Sequence, residues 1–217
     1  MKQYHLNKLS PELGAEISGI DLSKDFNEEI QNKIYDDLIN YKVLFFREQN
    51  ITPQFHVEFA KSFGSIEEPH PVYPHVEGFP EIVLLENDKD NPPDTDEWHT
   101  DVTFKNDPPF ASVLYSKTIP EVGGDTLWSS LSKIYDALPH ELKAQIENLR
   151  AIHDMGSFRN NYMNDDNKES SIKALPRGGS TYKTPLPNAQ VNCHLNSLAS
   201  TIPLTCFLEK EYSFTLT

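Results

Sequence analysis

The chain has 217 residues, a length that suits one domain with a sizeable hydrophobic core. Hydrophobic residues make up 37% and charged residues 24%, a balance typical of a globular protein, and the 12 Phe and 9 Tyr argue against disorder. The formal net charge of -14 repels phosphate backbones and anionic lipids, so neither nucleic acid nor a membrane is an expected partner. The polar N-terminus predicts no signal peptide, and no apolar stretch is long enough to span a bilayer, which favours a cytoplasmic location.

The first sixty residues predict two amphipathic helices around one buried strand. Asn27 is a suitable N-cap for the first helix. An apolar stripe at one-turn spacing follows it, formed by Ile30, Ile34 and Leu38. Residues 43–46 (VLFF) are a short apolar run typical of a buried strand. Thr52 and Pro53 then form an N-cap and a first helical position, and Gly64 can end the second helix. Its apolar stripe consists of Phe55, Phe59 and Phe63.

Residues 66–128 change to short apolar runs between clusters of proline, glycine and aspartate, a pattern typical of antiparallel strands in a jelly roll. Strands are expected at four such runs, 82–85, 102–104, 111–115 and 126–128. A helix is expected at 139–150, with inward-facing Leu142, Ile146 and Leu149. Residues 160–179 are polar and irregular and predict a surface loop or lid.

A His-x-Asp pair lies in residues 98–101 (WHTD). Side chains alternate along an extended segment, so His99 and Asp101 are expected on one face. An imidazole nitrogen and a carboxylate oxygen can then bind one metal ion, and two histidines with one carboxylate are typical of non-haem Fe(II) oxygenases. An isolated match of this kind is more often a polar surface loop, so the pair alone does not establish a metal site.

Further segments accompany the pair in a fixed order: 13–22 (LGAEISGIDL), 43–49 (VLFFREQ), 70–75 (HPVYPH), 97–104 (EWHTDVTF) and 123–128 (GGDTLW). Through them the sequence from about 13 to 158 resembles the TauD/TfdA family of Fe(II)- and 2-oxoglutarate-dependent dioxygenases. Two of the segments, 70–75 and 123–128, are closer to its taurine dioxygenase branch. The resemblance implies an α+β fold, mainly β, with a double-stranded β-helix (a cupin-like jelly roll) and flanking helices. It also implies Fe(II) as metal, with 2-oxoglutarate and O2 as co-substrates.

The resemblance implies roles for individual residues. His99 and Asp101 would be two Fe(II) ligands, and the Thr126 hydroxyl would donate to a 2-oxoglutarate carboxylate. Substrate contacts would come from four further residues: His70 and the backbone N–H of Val102 at the anionic head, Tyr73 at an amine, and Phe158 at the pocket wall. Simpler readings stay open, because Thr126 is equally compatible with a hydroxyl tolerated in an apolar strand, and aromatic residues near His70 often only fix a proline-rich loop.

The implied activity is hydroxylation of a small anionic sulfonate such as taurine, with release of sulfite, succinate and CO2. That activity belongs to taurine catabolism and sulfur metabolism, and it is compatible with a homo-oligomer. Thr95 stands where taurine dioxygenases place an asparagine that helps to bind the amine. A hydroxyl cannot reproduce the geometry of an amide, so another small anionic substrate is an open alternative.

Residues 184–217 lose the resemblance and contain no arginine. We therefore divide the chain into 1–183, an incomplete dioxygenase domain, and 184–217, an anomalous tail, with the C-terminal strands of the jelly roll missing. The third Fe(II) ligand, a histidine, and the arginine that would pair with 2-oxoglutarate have no match, so weak iron binding and little turnover are expected. A non-catalytic remnant of such an enzyme is the main alternative. A cupin-like metal hydrolase would need a ligand cluster of its own.

Overall fold

The structure, a computed structural model, describes residues 4–69, 73–88, 109–122, 125–147, 149–153, 180–183 and 204–209. Its strands are β1 His5–Lys8, β2 Ala15–Ser18, β3 Val43–Phe46, β4 His75–Val76, β5 Phe79–Val83, β6 Ala111–Ser116, β7 Arg150–His153, β8 Ser180–Lys183 and β9 Leu204–Glu209. Its helices are α1 Leu22–Asp25, α2 Glu28–Tyr41, α3 Pro53–Lys61, α4 Leu131–Ala137 and α5 His140–Ile146. None of the helices in these ranges combines the length and apolar character needed to cross a bilayer.

Five strands form one mixed sheet in the order β1-β2-β3-β9-β6. β1 and β2 are antiparallel, whereas β2–β3, β3–β9 and β9–β6 are parallel pairs. β4–β5 and β7–β8 are separate antiparallel pairs. The expectation of antiparallel strands between 66 and 128 is therefore right for β4 and β5 but wrong for β6. β9 comes from the segment separated above as a tail and lies inside the sheet, while the boundary at 183 stays a prediction.

The core lies between the sheet and α2, as the pattern of the first sixty residues predicts. The Asn27 side chain accepts a hydrogen bond from the Ile30 N–H at 3.1 Å and so begins α2. The apolar stripe of α2 is buried. On β3, Leu44 and Phe46 are fully buried, and Phe45 between them is only half-buried. Alternation along the strand therefore gives β3 a core face and a second face that carries Phe45.

Helix α3 packs its phenylalanine stripe into the same core. The Thr52 hydroxyl accepts a hydrogen bond from the Phe55 N–H at 3.1 Å, which confirms the predicted N-cap. The ring centroid of Phe26 lies 6.1, 5.0 and 6.5 Å from those of the stripe, Phe55, Phe59 and Phe63. The helix ends at Lys61, before the predicted stop at Gly64, because the chain turns at Ser62.

Gln49 joins the first two segments of the family resemblance, 13–22 and 43–49. Its side chain is 3% exposed. The amide oxygen accepts from the Leu22 N–H at 2.9 Å, and the amide nitrogen donates to the carbonyls of Ile20 at 3.0 Å and Arg47 at 2.7 Å. Burial without these partners would cost free energy, so the side chain fixes the turn after β2 against the end of β3.

Several predicted elements differ from the structure. The sequence analysis missed β1, β2 and α1, which are only four residues long, and also α4, which Ser130 caps. Residues 126–128 are not a strand, and Leu127 is 65% exposed. The predicted helix 139–150 ends at Ile146, and two residues of its stripe, Leu142 and Leu149, are exposed. Spacing shows which face of a helix is apolar, but it does not show what covers that face. The predicted strand 102–104 and the loop 160–179 lie outside the described residues.

Candidate metal and co-substrate site

Five of the seven predicted site residues lie outside the described residues, namely His70, His99, Asp101, Val102 and Phe158. The two within the described ranges are Tyr73 and Thr126. The structure therefore describes the parts of the chain that precede and follow the predicted ligand segment.

Helix α3 supports both ends of that segment. Among the described residues, the last strand before the His-x-Asp pair is β5 and the first strand after it is β6, and α3 contacts both. On the β5 side, the ammonium of Lys61 lies 3.7 Å from the carboxylate of Glu81. On the β6 side, the Nε2 atom of His56 lies 2.9 Å from the Val113 carbonyl oxygen. Because α3 contacts both strands, the segment between β5 and β6 is connected at each end to a strand that packs on the same helix.

The environment of His56 favours its neutral imidazole. Burial lowers the pKa of His56, the hydrogen bond to Val113 opposes that effect, and the positive charge of Lys117 adds to it. A carbonyl oxygen only accepts hydrogen bonds, so Nε2 carries the proton and donates it to Val113. The sequence analysis assigned no role to His56. No spacing signal distinguished it, because its role depends on a strand 57 residues further along the chain.

Tyr115 is the second anchor of β6. Its hydroxyl donates to the Gln49 carbonyl at 3.2 Å, just before α3 begins. Burial raises the pKa of Tyr115, and a backbone hydrogen bond from Ile51 partly offsets this. The Tyr115 ring also meets the His56 ring edge-on at 6.3 Å, and the ammonium of Lys117 lies 4.4 Å from its centroid. β6 is thus held to the region of α3 by two side chains, His56 and Tyr115.

Thr126 is exposed in an irregular segment, so the alternative in which an apolar strand simply tolerates its hydroxyl loses its premise. Two residues later, the Trp128 ring packs edge-on against Phe45 at 5.3 Å. The segment is then fixed where the Ser130 hydroxyl accepts from the Lys133 N–H at 3.4 Å and begins α4. Because Phe45 lies on the sheet face away from the core, this packing holds Trp128, two residues after Thr126, on that face.

Tyr73 is half-buried at the start of the β4–β5 hairpin. The carbonyl of the next residue, Pro74, accepts a hydrogen bond from the Leu84 N–H at 2.8 Å. This bond places Tyr73 beside the point where the chain leaves β5 toward the His-x-Asp pair. A residue predicted to contact substrate is therefore held beside the end of β5, from which the chain continues toward the His-x-Asp pair.

The donor chemistry of His99 and Asp101 fits the metal that the resemblance implies, because Fe(II) accepts imidazole nitrogen and carboxylate oxygen together. Within the described ranges, no group of three or more histidine, cysteine, aspartate or glutamate side chains could hold a metal ion. That part of the chain thus offers no rival to the predicted pair.

The fold indicates the class of protein. The structure is similar to that of a Burkholderia xenovorans protein solved as a candidate alpha-ketoglutarate-dependent taurine dioxygenase, with a TM-score of 0.58 and 36% identity over 70% of this chain and 54% of that chain. Such neighbours have a jelly-roll fold, the architecture predicted from the sequence, and the described residues of this chain form partial sheets. A family profile described as "Taurine catabolism dioxygenase TauD, TfdA family" matches residues 5–199. The chain belongs to this family, and the match extends beyond residues 13–158 on both sides.

Two of the curated relatives are bacterial proteins. An alkylsulfatase of Acinetobacter baylyi is 40% identical over 153 residues, which are 70% of this chain and 47% of that protein. An alpha-ketoglutarate-dependent sulfate ester dioxygenase of Pseudomonas putida is 39% identical over 144 residues, which are 65% of this chain and 46% of that protein. The chain thus spans about half the length of these relatives. The expectation of an oxidoreductase family that uses 2-oxoglutarate is confirmed at the level of the family.

Proposed function

We propose that the protein containing these residues is an Fe(II)- and 2-oxoglutarate-dependent dioxygenase that oxidises a small organic sulfate ester or sulfonate. The observation that carries the proposal is the His-x-Asp pair inside the family match, between two strands that both rest on α3. The names of the two bacterial relatives support a substrate with a sulfate or sulfonate group.

The residues of this chain would bind and orient the reactants. His99 and Asp101 would hold Fe(II), which when bound with 2-oxoglutarate supplies O2 activation. Thr126 would donate its hydroxyl to a carboxylate of 2-oxoglutarate, a role that its exposure permits. The segment 70–73 would hold the substrate, with His70 at the anionic head and Tyr73 beside it, while Val102 would add a backbone N–H and Phe158 a wall.

An alkyl sulfate or alkyl sulfonate suits this chain better than taurine does. Taurine carries an amine, and the asparagine expected to help bind it is replaced by Thr95. An alkyl sulfate has no amine, so the replacement removes no contact that such a substrate needs. The net charge of -14 opposes any anion, so donors local to the site, such as His70 and the Val102 N–H, must provide the attraction.

Decarboxylation of 2-oxoglutarate by the 217-residue chain tests the substrate class. The chain would be supplied with Fe(II) and ascorbate, and a medium-chain alkyl sulfate, an alkyl sulfonate and taurine would be added separately. We expect low turnover, because the chain matches two of the three implied ligands, and we expect the alkyl sulfate to raise it more than taurine does. Stimulation by taurine alone would contradict the substrate assignment, and equal turnover by the His99→Ala variant would contradict the proposed metal site.

A matched control uses His140, an exposed histidine that begins α5. The His140→Ala variant removes one imidazole from the surface, and the His99→Ala variant removes one imidazole from the proposed site. We expect it to keep the metal binding and turnover of the wild type. If both variants lost metal binding equally, the loss would reflect a general effect of removing imidazole, and the assignment of His99 would fail.

A further inference from the structure

The contact of β6 with α3 and with the residues just before α3, hereafter the α3–β6 seam, includes two side-chain hydrogen bonds to backbone carbonyls and one ring contact. His56 donates to the Val113 carbonyl at 2.9 Å, and Tyr115 donates to the Gln49 carbonyl at 3.2 Å. The two rings meet edge-on with centroids 6.3 Å apart. Both side chains therefore bond to backbone atoms across the seam, so they fix the position of the strand itself rather than that of another side chain.

β6 is an outer strand of the described sheet, and β9 is its paired neighbour there. An outer strand has backbone groups on one side without a strand partner, and these need other partners when they are partly buried. The Val113 carbonyl receives such a partner from His56. The seam therefore supplies a contact that strand pairing does not provide at this edge.

The seam lies on the strand that follows the segment carrying the proposed site. β6 is the first described strand after the His-x-Asp pair, and Ala111 lies ten positions after Asp101. At the other end of the segment, β5 is held to α3 through the weaker and more exposed contact between Lys61 and Glu81 at 3.7 Å. Of these two polar contacts, the His56 hydrogen bond is the shorter and the better shielded.

We propose that His56 is a positioning residue for the metal site. By donating to Val113, it fixes β6 against α3 and thereby fixes the C-terminal end of the segment that carries His99 and Asp101. The inference rests on the proposed function, because it assumes that this pair binds metal. His56 itself does not touch the metal or the substrate, and its effect passes through the backbone of β6.

The expected effect follows from how metal sites respond to their supporting hydrogen bonds. Loss of a partner that orients a ligand commonly weakens metal affinity by about 10- to 100-fold. His56 acts one step further away, through a strand, so we expect the lower end, a loss of about tenfold. Loss of the Tyr115 hydroxyl leaves its ring contact with His56 in place, so a smaller loss of about threefold is expected.

The test compares four variants with the wild type by titrating Co(II), a spectroscopic substitute for Fe(II), in the presence of 2-oxoglutarate. His56→Met removes the donor but keeps the bulk, and His56→Gln keeps an N–H that can reach Val113. Tyr115→Phe removes the second hydrogen bond, and His140→Gln is the surface control. Urea unfolding of each variant shows which proteins are folded at the temperature of the titration. We expect affinity to fall about tenfold in His56→Met and about threefold in Tyr115→Phe. It should stay within about twofold of wild type in His56→Gln and His140→Gln.

A residue that only stabilises the fold would lower the unfolding free energy without changing the affinity of the folded protein. Wild-type affinity in a folded His56→Met variant would therefore overturn the inference, as would an affinity in His56→Gln as low as in His56→Met. If His56→Met does not fold, Tyr115→Phe decides, and unchanged Co(II) affinity in that variant overturns the inference. Failure of the proposed function gives a different result, because then His99→Ala would bind Co(II) as the wild type does, or the wild type would not bind it.

Discussion

The side chain of Gln49 makes a sharp stability prediction, because three backbone groups depend on it. Replacement by methionine keeps the length of the side chain and removes all three hydrogen bonds, to the Leu22 N–H and to the carbonyls of Ile20 and Arg47. An unpaired buried polar group costs about 1–3 kcal/mol, so three groups at the lower end give a loss of about 3 kcal/mol. Domains of this kind are stable by about 5–15 kcal/mol, so the Gln49→Met variant should stay folded but unfold at clearly lower urea concentration.

The Gln49→Glu variant separates hydrogen bonding from side-chain shape. Its carboxylate can still accept from Leu22, but its second oxygen would face two carbonyl oxygens and carry part of a buried charge. We expect a loss at least as large as that of Gln49→Met at about pH 8, and a smaller loss at about pH 5, where a protonated carboxyl can donate to one carbonyl.

Urea unfolding monitored by circular dichroism measures both variants, with Gln54→Met as the control. Gln54 is exposed on α3, and its side chain donates a hydrogen bond to the side chain of Glu58 at 2.6 Å, so its replacement should cost no more than about 0.5 kcal/mol. A loss below about 1 kcal/mol for Gln49→Met would refute the reasoning, since it would mean that the three backbone groups find other partners.

Three further predictions concern a strained residue, a buried histidine and the co-substrate. Lys42 ends α2 with φ 73°, a conformation that favours glycine, so Lys42→Gly should raise the unfolding free energy by about 1 kcal/mol in a urea titration. Burial lowers the pKa of His56 below its ordinary value of 6.5, so the unfolded chain takes up the proton first as the pH falls. The contribution of His56 to the unfolding free energy should therefore be fully present above about pH 6.5 and be lost as the pH falls through the folded pKa. The His56→Gln substitution should lessen this loss of stability. Thr126→Val should weaken 2-oxoglutarate binding about three- to tenfold in a calorimetric titration, because it removes one neutral hydrogen bond.

Each of these has its own control. Lys42→Ala keeps the backbone strain and loses the side chain, so a gain as large as that of Lys42→Gly would remove strain as the cause. If the unfolding free energy depended equally on pH in the wild type and in His56→Gln, protonation of His56 would not be the cause of the lost stability at low pH. Thr118→Val changes another exposed threonine, and an equal loss of 2-oxoglutarate affinity there would contradict the assignment of Thr126.

The parts of the fold that sequence reasoning predicted are those in which local patterns decide the structure. Asn27 and Thr52 cap helices because their side chains satisfy nearby N–H groups, and the apolar stripe of α2 is buried because its spacing matches the helical period. The parts that it missed depend on distant partners. Leu142 has helical spacing but is exposed, and β6 pairs in parallel with β9, which lies some ninety residues further along the chain.

The same division holds for the site. Motifs in a fixed order predicted the family, and the match over residues 5–199 confirms it. Thr126 was placed in an apolar strand because its neighbours are leucine and tryptophan, whereas the structure shows an exposed segment anchored by Trp128 on Phe45. His56 gave no signal in the sequence, since its partners at Val113 and Tyr115 are brought to it only by the packing of β6.

The most direct test of the account is an anaerobic titration of the 217-residue chain with Fe(II) and 2-oxoglutarate, followed by visible absorption. Complexes of Fe(II) with 2-oxoglutarate show a weak metal-to-ligand band, and we expect this band to grow and saturate in the wild type and in His140→Ala. We expect it to be lost in His99→Ala. A wild-type chain without the band, or a His99→Ala variant with an undiminished band, would contradict the claim that His99 and Asp101 bind the same ferrous ion.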